Sequence, residues 1–135
     1  MHKQIYVNLP VADLDRSKAF FTRLGYAFEP RFTSEQAACL VIGAHIFVML
    51  LVKDLFEDFA TRPAGDPRAA REAILALSAG SRAEVDALVA KAVEAGGRAA
   101  GAVRDHGYMY EHGFEDPDGH QWALFHLDPD APGAP

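Results

Sequence analysis

Apolar and β-branched residues crowd the stretch IYVNLPV, Ile5 to Val11, and its bounded length marks a strand. The period then changes. In ADLDRSKAFFTRLGY, Phe20 and Leu24 stand at i and i+4, Asp13 or Asp15 offers an N-cap oxygen, and Gly25 supplies the stop, so a helix follows the strand. AFEPRF reads as extended. AACLVIGAHIFVMLL divides at Gly43 and Ala44 into two apolar runs, the pattern of a hairpin. The first half is therefore βαβββ.

The second half repeats the order. REAILALSAG reads as a strand and Ser81 as an N-cap. RAEVDALVAKAVEAGG is a helix with Val85, Leu88, Val89 and Ala92 on one stripe, closed by Gly96 and Gly97. RAAGAV is a weak strand and YMYEHGFED a stronger one; the turn Asp116-Pro117-Asp118-Gly119 then leads into the last strand, HQWALFHL. Gly25 and Gly96 close their helices at corresponding places, so the chain reads as two modules of similar length and order. Module one covers about 1–52, a polar linker with Pro63, Gly65 and Pro67 about 53–71, and module two about 72–127. Phe56 and Phe59 in the linker either pack over a pocket or staple a short helix to the core. Residues 128–135 form a tail, expected to be disordered.

A chain of 135 residues, 50% hydrophobic, is the size of one compact domain. Its 13 basic and 19 acidic residues give a net charge of -6, which argues against nucleic acid or an anionic membrane as partner and accommodates a small neutral or cationic ligand more easily. The single cysteine, Cys39, excludes an internal disulfide and fits a reducing compartment and a core position. The absence of a long apolar run or a signal-peptide profile completes the expectation of a soluble cytoplasmic protein.

The opening YVNLPVADLDRSKAFFTRLGY and the closing GYMYEHGFEDPDGHQWALFHLDP resemble the two ends of a glyoxalase/bleomycin-resistance/dioxygenase protein, the vicinal oxygen chelate superfamily. The resemblance covers nearly the whole chain, and the D-P-D-G turn is its most specific part. It implies an α+β fold of two paired βαβββ modules forming a half-open curved sheet with a central cavity, and a homodimer. It also implies a divalent metal held by one ligand from each of four strands. Here the first of those positions falls on Tyr6, the hairpin-strand position near Met49, the next on Ile74 or Leu75, and the last, four past Gly119, on Ala123. An ion needs three or four N or O donors at about 2.0–2.2 Å, which an alanine, a thioether and an aliphatic side chain do not supply. Tyrosine would serve only as a phenolate. No metal and no other cofactor is therefore expected, and the reactions that use the metal to polarise vicinal oxygens are set aside.

Other residues carry the remaining chemistry. Glu111 and His112 lie among Tyr108, Met109, Tyr110 and Phe114, an expensive place for a charge unless it meets a wet cavity or a partner. One of them, facing a cavity, would act as general base or hold a polar group of a ligand; the plainer alternative turns one outward and bonds the other to a neighbouring strand. Asn8 shares a strand face with Tyr6 and either lends its amide to a pocket or serves strand pairing. His120 is expected to be solvated after its turn, with His126 on the same face, opposite to Ala123. Tyr6, Asn8, Tyr110, Ala123 and Phe125 make an aromatic site for a small organic molecule. The favoured function is binding of a small hydrophobic or aromatic molecule, as in drug sequestration. The alternative is a lyase or dioxygenase with a rebuilt active site around Glu111 and His112, and a blander one keeps the fold for dimerisation alone.

Overall fold

The computed structural model describes residues 1–128 and residue 130. The chain forms two compact units, one over residues 1–66 and the other beginning at Pro67. The tail, 128–135, lies outside the described residues except for Asp128 and Asp130, and Asp128 N donates to the Tyr108 carbonyl at 2.7 Å.

The first unit runs β1 (Ile5–Val11), α1 (Leu14–Arg23), β2 (Ala27–Phe28), β3 (Ala37–Gly43), β4 (Ile46–Val52) and α2 (Lys53–Phe59). Its sheet has the order β1-β4-β3-β2, with β1 parallel to β4 and the other pairs antiparallel. Asp13 caps α1 by accepting from Arg16 N at 3.0 Å. Leu14, Ser17, Phe20 and Phe21 turn inward, and the rings of Phe20 and Phe21 meet edge to face at 5.0 Å. They cover the sheet face that bears Leu9, Val11, Val48, Leu50, Ala38 and Leu40, all buried. Withdrawing each of the valine and leucine side chains among them from water is worth about 1.5–3 kcal/mol. Of AFEPRF, only Ala27–Phe28 is strand; Pro30–Phe32 wind into a 3-10 turn. Proline presets the first φ of that turn and Glu29 accepts from Arg31 N at 3.3 Å, which closes it.

The second unit runs β5 (Ile74–Ser78), α3 (Arg82–Glu94), β6 (Arg98–Ala99), β7 (Arg104–Asp105), β8 (Met109–Glu115) and β9 (Gln121–Leu127). Its order is β5-β9-β8-β6, again with the first pair parallel, and β7 also pairs with β8. The first sheet thus recurs strand for strand, with β7 as an addition. Ser81 caps α3 by accepting from Glu84 N at 3.0 Å. Val85, Val89 and Ala92 are buried on one side of α3, and Phe114, Trp122 and Leu124 on the sheet it packs against. The Phe114 and Trp122 rings stack at 6.2 Å. RAAGAV contributes only Arg98–Ala99 to the sheet, because Gly101 takes φ +71° and turns the chain away.

Among the described residues no helix is long and apolar enough to cross a membrane.

Candidate functional site

Alternation along β1 separates the helix-facing Leu9 and Val11 from Tyr6 and Asn8, which look to the other side of the sheet. Tyr6 stacks on its cross-strand neighbour Phe47, with ring centroids 4.8 Å apart and planes 15° from parallel. Its hydroxyl donates to Gln4 Oε1 at 3.3 Å. Asn8 Nδ2 donates to the Tyr6 carbonyl at 3.3 Å. Helix α2 packs on β1 and β4, and between them lies a pocket of about 420 Å³ lined by Asn8, Leu51, Phe56, Phe59 and Ala60. Tyr6 is not among its walls. Leu51 is buried, whereas Phe59 is 75% exposed at the rim. The helix follows Val52 without a side-chain cap hydrogen bond and buries no residue fully. Glu57 of α2 ties the following chain back by accepting from Ala64 N at 2.7 Å.

Cys39 is fully buried on β3, and its backbone N donates to Thr33 Oγ1 at 3.1 Å. Burial pushes its thiol pKa up, away from the reactive thiolate.

In the second unit the register sets Ile74, Ala76 and Ser78 beside Gln121, Ala123 and Phe125, and these beside Glu115, Gly113 and Glu111. All nine share one face. Ala76, Ala123 and Gly113 form a row of small residues across three strands, and a depression of about 280 Å³ lies over Ala123 and Gly113. Ile74, Arg104, Glu111 and Gln121 border it. Glu111 Oε1 stands 3.9 Å from Arg104 Nη1 and 3.8 Å from His106 Nε2, ion-pair separations too long for hydrogen bonds. Phe125 shares this face but does not line the depression.

Tyr110 and His112 belong to the opposite face of β8, the side that meets α3. Tyr110 is thus separated from Ala123 and Phe125 by the pleat. Its hydroxyl donates to Asp86 Oδ1 of α3 at 2.7 Å, a bond that raises the phenol pKa. Arg82 lies over its ring at 5.0 Å and pairs with Asp105 at 2.7 Å, holding that carboxyl below its usual range. His112 Nε2 is 3.0 Å from the Gly101 carbonyl, so its ring fastens the loop that rims the depression, and it reaches the same cavity from the edge.

His120 is buried at 8% exposure, contrary to the solvated position expected after a turn. The turn is not a surface loop: Asp116 and Asp118 are also buried, and Arg68 and Arg71 dock on it. Arg68 donates to the Pro117 carbonyl, and Arg71 to the Gly119 carbonyl and to Glu115 Oε1, both at 2.6 Å. His126 Nδ1 lies 3.1 Å from the Ala79 carbonyl. The histidines therefore sit in separate local contacts, and no group of three or more His, Cys, Asp or Glu able to hold a metal occurs among the described residues.

The positions at which the resemblance puts metal ligands fall in the second unit on Ile74 or Leu75 and on Ala123, Ile74 lying diagonal to Ala123 on the open face, and in the first unit on Tyr6 and the vicinity of Met49. A branched butyl side chain, a methyl and a thioether are not ligands for a hard divalent ion.

A family profile described as "Bleomycin resistance protein-like N-terminal" matches residues 3–43. Among solved structures, a hypothetical protein of S. aureus is 26% identical with a TM-score of 0.80, the match covering 94% of this chain and 95% of that one. A glyoxalase/bleomycin resistance protein/dioxygenase family enzyme of Burkholderia phytofirmans is 19% identical with a TM-score of 0.75, covering 91% and 97%. TnmS3, an antibiotic binding protein of a Streptomyces species, is 21% identical with a TM-score of 0.67, covering 95% and 98%. Among curated proteins none matches. The repeated strand order of the two sheets and these shared folds agree: the chain has the fold of the glyoxalase/bleomycin-resistance/dioxygenase proteins, and its residues 3–43 match the bleomycin-resistance-like N-terminal profile.

Proposed function

We propose that the protein binds a small hydrophobic or aromatic molecule and does so without the superfamily's usual metal. The pocket of the first unit carries this reading. Its volume of about 420 Å³ falls in the range of small-molecule sites, and Phe56, Phe59, Leu51 and Ala60 surround a single polar side chain, Asn8. The donor-poor chemistry of Tyr6, Met49, Ile74 and Ala123 supports a metal-independent role. The antibiotic-binding name of the Streptomyces neighbour is compatible with sequestration as that role.

A second reading rests on the depression of the second unit. Glu111 there has no hydrogen bond from Arg104 or His106, and its carboxylate borders the small-residue floor left by Ala123. A carboxylate so placed would act as general base in a lyase-type or dioxygenase-type reaction, with His112 holding the rim. Unpaired edges on β1 and β5 suit a homodimer, and the lone buried cysteine suits the cytoplasm.

The decisive experiment measures the metal content of untagged protein, followed by thermal-shift titrations with zinc, nickel, manganese and iron(II), and then with a panel of small aromatic compounds. Saturable stabilisation by an aromatic compound that is lost in Phe56→Ala, with no metal effect, supports the reading. Stoichiometric metal, or saturating stabilisation by a metal alone, overturns it.

A further inference from the structure

Ligand binding in the first unit, the reading proposed above, has a consequence for the chemistry of the ligand. We infer that the molecule held there is a flat aromatic compound bearing an N–H or O–H donor, which Asn8 accepts through Oδ1. Asn8 supplies the one polar side chain in a wall otherwise made by Leu51, Phe56, Phe59 and Ala60. Its orientation is set by its own strand: Nδ2 faces the Tyr6 carbonyl at 3.3 Å, and only the NH2 end of an amide can face a carbonyl oxygen. Oδ1 makes no hydrogen bond among the described residues, and it is the acceptor left for a ligand.

A ligand donor placed against this oxygen is paired as the apolar walls strip it of water. A ligand presenting only acceptors sets oxygen against oxygen at Oδ1 and has only the second Nδ2 hydrogen to turn to, so it recovers less of its lost hydration. Acidic ligands meet a further obstacle, because α2 carries Asp54, Glu57 and Asp58 against the single Lys53. The aromatic requirement comes from Phe56 and Phe59. Phe59 leaves 75% of its surface in water, and a flat ring laid against it withdraws that surface and gains offset or edge-to-face contact.

The test uses two pairs of probes that differ by one donor: indole with 1-methylindole, and 2-naphthol with 2-methoxynaphthalene. Each is titrated by calorimetry into the full-length protein and into Asn8→Leu, Asn8→Asp and Phe56→Ala. Asn8 is an exposed strand position, so these variants retain the fold, which circular dichroism checks. The expected result is a preference of about tenfold for the donor-bearing member of each pair, the size of one paired hydrogen bond. That preference disappears in Asn8→Leu and persists in Asn8→Asp, which keeps an acceptor, while Phe56→Ala weakens both members alike. Equal binding of both members, still dependent on Phe56, overturns the donor requirement and leaves the pocket reading intact. Failure of all four probes to bind overturns both.

Discussion

The indole Nε1 of Trp122 donates to Oδ2 of Asp116 across 3.0 Å, joining the buried centre of the second unit to the turn that precedes its last strand. The other oxygen of the same carboxylate accepts from Asp118 N at 3.0 Å and His120 N at 3.1 Å. One aspartate thus closes the D-P-D-G turn and satisfies the core tryptophan. Replacing it by alanine leaves the indole N–H and two backbone N–H groups short of an acceptor in a buried setting. A loss of about 3 kcal/mol is expected, the upper range for an orphaned buried donor. Urea unfolding of Asp116→Ala measures it, and the fluorescence of Trp122, the only tryptophan, reports the same site directly.

The same carboxyl gives stability a pH dependence of definite sign. Burial pushes its pKa above the ordinary 3.8, and the nearby Asp118 charge adds to this; His120 and the Trp122 and His120 donors pull the other way without cancelling it. A folded value above the unfolded one means that the folded state holds the proton more tightly. Its contribution is complete below pH 3.8 and is lost as pH rises through the raised folded value. In urea titrations, wild type should therefore lose stability relative to Asp116→Asn as pH rises from 3.8 across that window. A wild type that gains stability relative to Asp116→Asn as pH rises would instead mean that the three donors outweigh burial.

Gly113 faces Ala123 across the β8–β9 ladder, and a Cβ placed on it would stand 2.3 Å from the Trp122 carbonyl oxygen. That oxygen is backbone and has no rotamer to yield, so the strands must part. Gly113→Ala is expected to cost about 2 kcal/mol or more, as overpacking does. Gly65→Ala, with nothing within 4 Å of the new atom, should change stability by less than about 0.5 kcal/mol. Thermal and urea unfolding of the two variants side by side separate close approach from loss of chain flexibility.

Much of this fold was readable from pattern because its signals are local. Asp13 and Ser81 are N-caps where the sequence offers them, and Gly25 and Gly96 close their helices with φ of +102° and +110°. Hydrophobic alternation correctly put Trp122, Leu124 and His126 on one face of β9 and Ala123 on the other. What the sequence hid depends on partners far along the chain. His120 looks like a solvated residue after a turn, but Arg68 and Arg71 cover that turn from about fifty positions upstream. Tyr110 looks like a pocket aromatic, but alternation from Glu111 commits it to the α3 side, where Asp86 takes its hydroxyl. The two-residue strand Arg104–Asp105 is too short to carry any period, so the placement of Arg104 beside Glu111 had no signal.

The aromatic side chains of α2 should affect binding more than folding. Phe59 is 75% exposed, so Phe59→Ala removes little buried area, and unfolding free energy should move by less than about 0.5 kcal/mol. An aromatic ligand resting on that ring loses its contact, and its affinity should fall several-fold or more. Phe56→Ala should weaken binding further, with some cost in stability because this ring is partly covered. Calorimetric titration paired with urea unfolding distinguishes the two roles: parallel losses in both would make these rings structural staples rather than pocket walls.

Placing a carboxylate at Ala123, where the family resemblance puts the last metal ligand, gives the sharpest test of the donor argument. Ala123→Glu puts one oxygen donor on the open face of β9, with Ile74, its diagonal neighbour on β5, still aliphatic. Glu111 lies diagonally across on β8, already facing Arg104 and His106 at 3.9 and 3.8 Å. A divalent ion requires three or four N or O ligands in near-tetrahedral or octahedral array, and one or two carboxylates on a sheet surface hold it only weakly. Titration of Ala123→Glu with zinc or manganese should produce no saturating thermal shift at micromolar metal. Ile74→His combined with Ala123→Glu should produce a larger shift than either alone, because the two side chains then converge from adjacent strands. Micromolar binding by the single variant would mean that Glu111 and its neighbours already form most of a metal site, and would transfer the functional centre to the second unit.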